Sequence, residues 1–171
     1  MRSIFLLVLL FTLSFADIFR MNSFQADFRQ TVTNDKGNKL QYSGHVKAIK
    51  PQYALWTYDT PSKKSIYIVK NRATIIEPDL EQVIIRSLHS SIDFFNIIKQ
   101  AKKINSTTYT TEFQSINYTI KTDKTHLKSI QYTDELDNSI SILFTNQIEN
   151  AIVQEEEFYP NIPEDYDIIN G

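Results

Sequence analysis

The amino-acid sequence predicts a mainly β chain with one central helix, arranged as a strongly curved antiparallel sheet or barrel with a helical cover. Three observations predict it. Residues 24–58 alternate apolar and polar side chains with a period of two across three consecutive limbs. Short segments rich in β-branched and aromatic residues, divided by Asn, Asp, Ser and Pro, fill most of the remaining chain. Between Ser90 and Ala101 the apolar spacing switches to that of a helix. Together these give roughly nine to eleven strands, the central helix and a short helix near the mature N-terminus.

Residues 1–16 read as a signal peptide. Arg2 supplies the positive start, residues 4–15 an almost unbroken apolar run, and Ser14-Phe15-Ala16 a small-x-small cleavage site. The run falls short of the about 20 residues a membrane span needs, although an uncleaved anchor is the competing reading. Residues 17–171 are then one domain. The chain has no cysteine, so its stability must come from a core rather than covalent staples, and it lacks the lipobox cysteine of a lipoprotein. The expectation is a soluble exported protein, which in a diderm bacterium places it in the periplasm.

The first limb carries Phe24, Ala26, Phe28 and Val32 on one parity and Gln25, Asp27, Arg29, Thr31 and Thr33 on the other. The run Asn34-Asp35-Lys36-Gly37-Asn38 supplies the turn, since Asn, Asp and Gly tolerate left-handed backbone. The second limb keeps Leu40, Tyr42, Gly44, Val46 and Ala48 on its apolar parity, and the next residue of that parity is Lys50. Two readings of Lys50 stand side by side: a strand-end lysine that snorkels to water, and a cation at the rim of an apolar concavity that donates to a helix closing over it. Pro51 ends the ladder in either case.

Beyond Tyr58 the spacing predicts strands at 65–70, 73–77 and 81–86, with turns at 59–62 and 71–72 and a break at Pro78-Asp79. The helix follows, with Ser90 or Ser91 as N-cap, Asp93 in its first turn, and Phe94, Phe95, Ile97 and Ile98 around much of its circumference. A helix so apolar must be buried or must cover something. Lys99, Lys102 and Lys103 are expected to complement its C-terminal dipole. Strands are predicted at 107–113, 116–121, 127–133 and 139–145, with turns at 105–106, 123–124 and 134–138. A last strand is predicted at 154–159, after which Pro160 and Pro163 end the regular structure and leave only Ile168 and Ile169 to pack.

Catalysis finds no support. His45, His89 and His126 lie far apart in no metal-ligand spacing and read as surface histidines. There is no phosphate-binding glycine loop and no nucleophile elbow. The acidic clusters at 155–157 and 134–137 would alternate between the faces of a strand, which suits a solvated edge better than a glycosidase pair. A net charge of −2 gives no basic stripe for nucleic acid. No metal or cofactor is expected.

Binding is better supported. Eleven Phe, nine Tyr and the lone Trp56 exceed what one thin sheet needs, and both parities of residues 53–58 carry bulk. These aromatics either fill a closed core or line a cavity under the helix.

Several collinear motifs resemble one family. Phe24-Gln25-Ala26-Asp27-Phe28-Arg29-Gln30-Thr31-Val32, Ser43-Gly44, Lys50-Pro51 leading to Leu55-Trp56-Thr57-Tyr58 and Pro61, and Glu77-Pro78-Asp79-Leu80-Glu81-Gln82-Val83 resemble the ordered motifs of the outer-membrane lipoprotein carrier (LolA) family. Phe158 with Pro160 and Asp167-Ile168-Ile169 resembles its closing segment. The resemblance implies an unclosed antiparallel β-barrel, a half-barrel with a helical lid over a hydrophobic cavity, that chaperones acylated lipoproteins across the periplasm as a monomer without a cofactor. It implies an inner-membrane lipoprotein-releasing ABC transporter complex as donor and, in many bacteria, an outer-membrane lipoprotein receptor as acceptor. Where many members carry arginine this chain has Lys50, a point charge in place of a fork, and the segment before Phe24 is short.

On this reading Phe28, Val32, Tyr42, Val46, Ala54, Trp56, Tyr58 and Ile76 form the acyl-chain cavity, and Phe94, Phe95, Ile98 and Lys50 form the lid. The rival readings are a sensor or scaffold of similar fold that does not transport lipoproteins, and a lipocalin-like carrier of a small molecule.

Overall fold

The computed structural model describes residues 20–88, 94–123 and 126–171. The signal peptide expected at residues 1–16, the short helix expected after it, Ser90, Ser91 and Asp93 as helix starters, His89, and Lys124 of one predicted turn lie outside the described residues.

Strands β1 (Ser23–Thr33), β2 (Lys39–Ile49), β3 (Tyr53–Thr60), β4 (Lys64–Val69), β5 (Arg72–Glu77) and β6 (Gln82–Ser87) form an antiparallel meander. The helix α1 (Phe94–Lys99) follows, and then β7 (Lys102–Lys103), β8 (Thr108–Phe113), β9 (Ile116–Thr122), β10 (Leu127–Thr133) and β11 (Ser139–Glu149) form a second. The two meanders join where β1 pairs with β11, Phe28 opposite Phe144. With β12 (Asp167–Asn170) they make one twelve-stranded sheet, ordered β12-β6-β5-β4-β3-β2-β1-β11-β10-β9-β8-β7. Among the described residues its two ends do not pair, so the half-barrel is open.

Local sequence accounts for the hairpins. Asn34 closes the β1–β2 turn by accepting the amides of Lys36 and Asn38 through its side chain, with Gly37 left-handed at φ 80°. Asp134 repeats the device between β10 and β11, accepting the amides of Leu136 and Asn138. Register shifts fall in three of the strands, at Gln25/Asp27 of β1, Ser43/Gly44 of β2 and Leu127/Ser129 of β10. Such irregularities bend a strand and increase its twist, which is how so wide a sheet coils. Gly44 is required at its shift, because a Cβ there would lie 1.9 Å from the Thr57 carbonyl oxygen.

The sheet buries apolar residues on both faces. The larger core occupies the concave face, where Phe24, Phe28, Val46, Ile120, Leu127, Ile142 and Phe144 pack beneath Phe94, Phe95, Ile97 and Ile98 of α1. A smaller cluster on the convex face sets Tyr53 against Phe158, ring centroids 5.8 Å apart.

Four expectations are corrected. Residues 155–158 form a turn of 3-10 helix, not a strand. A strand would have aimed one of the three consecutive glutamates at the sheet; the turn keeps them in water, sends Phe158 into the convex cluster, and lets Glu157 pair with Lys47 at 2.6 Å. The tail does not end in irregular chain, since β12 pairs in parallel with β6, held by its backbone although all four residues are exposed. Lys102 and Lys103 leave the helix end and pair with Thr110 and Tyr109. The β4–β5 turn sits one residue early, because Lys70 takes the left-handed conformation at φ 54°.

Candidate functional site

Register identifies the concave wall. Opposite partners share a face, so Phe24, Ala26, Phe28, Gln30 and Val32 of β1 face the same side as Ala48, Val46, Gly44, Tyr42 and Leu40 of β2. The row continues through Ala54, Trp56 and Tyr58 of β3 to Ile68 and Ile66 of β4. In the other direction it passes through Phe144, Ile142 and Ile140 of β11 to Ile130 and Tyr132 of β10. The aromatic members touch edge to face: Phe28 lies 5.1 Å from Trp56 and 5.0 Å from Tyr58, and Tyr42 lies 5.7 Å from Tyr58.

Seven of the eight predicted wall residues are therefore brought together. Phe28, Val46, Ala54 and Tyr58 are buried in the concave core, and Val32, Tyr42 and Trp56 pack on it half-buried. Ile76 is the exception and is corrected. Ile68 pairs with Ala73, and Ile76, three residues on, has the opposite parity; it pairs with Val83 on the convex face. The three consecutive residues Thr74, Ile75 and Ile76 hide the parity of β5 in the sequence, and Ile75, opposite Ile66, holds the inward place.

The four residues expected to form a lid lie together at one end of the wall. Phe94 stacks on Phe24 at 5.2 Å and on Phe95 at 5.3 Å, while Ile98 is 1% exposed. The Lys50 ammonium donates to Asn22 Oδ1 at 3.3 Å and lies over the Phe95 ring at 5.8 Å, so its contact with α1 is with an aromatic face.

Several wall residues were not anticipated: Ile66 and Ile68, Ile140, Ile142 and Phe144, and the pair Tyr118 and Tyr132, with rings 5.0 Å apart. The Ile140/Ile142/Phe144 alternation was there to be read. Its pairing with β1, more than a hundred residues away, was not. Gln30 also belongs here, the one polar inward side chain of β1, and its Oε1 accepts the Tyr58 hydroxyl at 2.9 Å. Burial, with Tyr132 and Tyr42 nearby, pushes the Tyr58 phenol up. Burial likewise raises Tyr132 to about 12, assisted by Tyr118 and Asp134, and raises Tyr118.

The convex surface offers different chemistry. His45 stands exposed between two carboxylates, Nδ1 2.6 Å from Asp27 and Nε2 3.4 Å from Asp59. Asp27 accepts Asn146 Nδ2 at 2.6 Å, and that bond first, then His45, lowers its pKa. Among the described residues no group of three or more His, Cys, Asp or Glu side chains could hold a metal ion, and no helix is long and apolar enough to cross a membrane.

An open antiparallel shell with an apolar concave face and a short helix laid on it defines a half-barrel class of fold. The comparisons make the class specific. Residues 20–161 match the model of the family described as outer membrane lipoprotein carrier protein LolA, and the chain belongs to that family. It is 43% identical over 155 residues to an outer-membrane lipoprotein carrier protein of Campylobacter jejuni, covering 91% of this chain and 90% of that one. It is 34% identical over 159 residues to a protein of the same description from Wolinella succinogenes, covering 92% of each. Among solved structures, an uncharacterized conserved protein from Thermus thermophilus shares the fold with a TM-score of 0.54 at 9% identity, over 91% of this chain and 94% of that one.

Proposed function

We propose that the chain is a periplasmic lipoprotein carrier, released from its signal peptide near Ala16, that shelters the acyl chains of lipoproteins against the concave face while α1 acts as the lid. The observation that carries this reading is the unbroken apolar row from Ile66 through Trp56, Val46 and Phe28 to Phe144, roofed by Phe94 and Ile98. The relatives' description as carriers supports it.

Burial of acyl chains gains about 0.8 kcal/mol per methylene, so a chain of about 14 carbons gains on the order of 11 kcal/mol against water. Against a bilayer the gain is close to nothing, because lipid is equally apolar. Extraction must then be driven from outside, which is the role of an inner-membrane lipoprotein-releasing ABC transporter complex, and delivery needs an acceptor such as an outer-membrane lipoprotein receptor. The carrier itself needs only moderate affinity. A wall of aromatic rings under a helix of six residues suits that need.

The test is to add purified protein, residues 17–171, to spheroplasts. Lipoproteins should appear in the soluble fraction as one-to-one complexes with it; if they stay with the membrane while the added protein remains folded and unloaded, the carrier reading fails.

A further inference from the structure

At the end of the concave face away from α1, the wall changes character. Gln30 lies six residues along β1 from Phe24, about 20 Å in extended chain. Around its level the inward residues are Tyr42 and Tyr58 on one side and Tyr118 and Tyr132 on the other. The two pairs sit on strands four places apart in the sheet, which in a flat sheet would separate them by about 19 Å. Yet Tyr58 and Tyr118 belong to one buried cluster with Tyr42 and Tyr132 packed against it, so the coiling of the sheet gathers the pairs. Lys64 closes the rim, its ammonium 4.6 Å from the Tyr58 ring and 5.2 Å from the Tyr42 ring.

Packing alone does not call for these hydroxyls. Phenylalanine would fill the same places, whereas these hydroxyls are either paired, as in Tyr58, or open to solvent and able to bond a ligand. Among the described residues, Tyr58 alone of the four has a hydrogen-bond partner for its hydroxyl, Gln30. The shelf is thus rich in neutral donors, with a single cation already engaged by two ring faces. Donors of this kind match carbonyl oxygens better than a phosphate, which would call for several cations.

We propose that this shelf of Tyr42, Tyr58, Tyr118 and Tyr132, with Gln30 and Lys64, binds the ester and amide carbonyls that join acyl chains to the head of the cargo. The inference rests on the carrier reading and adds to it a polar subsite that distinguishes an acylated ligand from bare hydrocarbon. Lipoproteins and phospholipids both offer acyl-ester carbonyls, and the test separates them.

Quenching of Trp56, the only tryptophan, reports occupancy of the adjoining wall. Titrations would use a synthetic triacylated lipopeptide, a phospholipid with the same chains, and an alkyl probe without carbonyls. In Tyr42→Phe/Tyr132→Phe the affinity advantage of the lipopeptide over the alkyl probe should fall about tenfold, a few-fold for each lost hydrogen bond. Gln30→Leu should shift the ratio the same way by about threefold, which guards against a misfolded double variant. An unchanged advantage in both variants overturns the shelf and leaves the carrier reading standing. If the wild type binds phospholipid and not lipopeptide, the carrier reading fails; the shelf then survives only if the phospholipid's advantage drops in the same variants, and is overturned otherwise.

Discussion

The two ends of the concave face are built from the same strands and do different work. Beneath α1 the contacts are hydrocarbon on hydrocarbon: Phe24 and Phe144 are 0% exposed with rings edge to face at 5.3 Å, and Phe94 lies against the first of them. At the far end Tyr42, Tyr132 and Trp56 are half-buried and the rim is closed by Lys64. The covered end holds the shell together. The other end carries hydroxyls and a cation in place of bare hydrocarbon.

The comparison breaks most visibly if the covered end is not the structural one. Phe144→Ala removes a fully buried ring flanked by Phe24 and Trp56, and should cost about 3–5 kcal/mol in denaturant unfolding. A loss below about 1 kcal/mol would show that the shell does not depend on this contact. Next in size, Phe94→Glu sets a carboxylate into the apolar contact of α1 with Phe24, at a cost of about 1–3 kcal/mol and with it roughly tenfold or more in lipopeptide affinity. Undiminished capture would remove α1 from the site.

The hydroxyl end is sharpened by alkaline titration. The Tyr132 phenol is raised to about 12 in the fold, so between pH 10 and 12 the unfolded chain ionises first and the folded chain loses stability as pH rises. Tyr132→Phe should flatten that limb of a plot of Tm against pH, while leaving the shape between pH 6 and 9 as it was. The smallest effect belongs to the clasp. Lys50→Leu removes the cation from the Phe95 face and should speed exchange of a bound hydrophobic probe about threefold in stopped flow. Equal rates would return Lys50 to the role of a solvated strand end.

The covered and open ends also differ in how far the sequence reveals them. Period-two alternation placed Phe28, Val46 and Trp56 correctly, because a strand with one polar parity declares its inward face. It misplaced Ile76, where β5 has no polar parity to read. The run Phe94-Phe95-Asn96-Ile97-Ile98 announced a covering helix by its composition. The hydroxyl shelf was out of reach, since Tyr58 and Tyr132 are neighbours only through the β1–β11 pairing and the coiling of the whole sheet. Gln30 was legible only as a break in the pattern. The turn at 155–158 was missed because a glutamate run followed by Phe158 fits an edge strand and a docking 3-10 turn equally well until the convex pocket beside Tyr53 is known.

Among the described residues the sheet ends at β12 on one side and β7 on the other, and the two do not pair. A sealed cylinder has a fixed girth, and widening it means tearing a seam of backbone bonds. A shell with two loose hems can spread or tighten by changing its coil alone, keeping every strand pair intact.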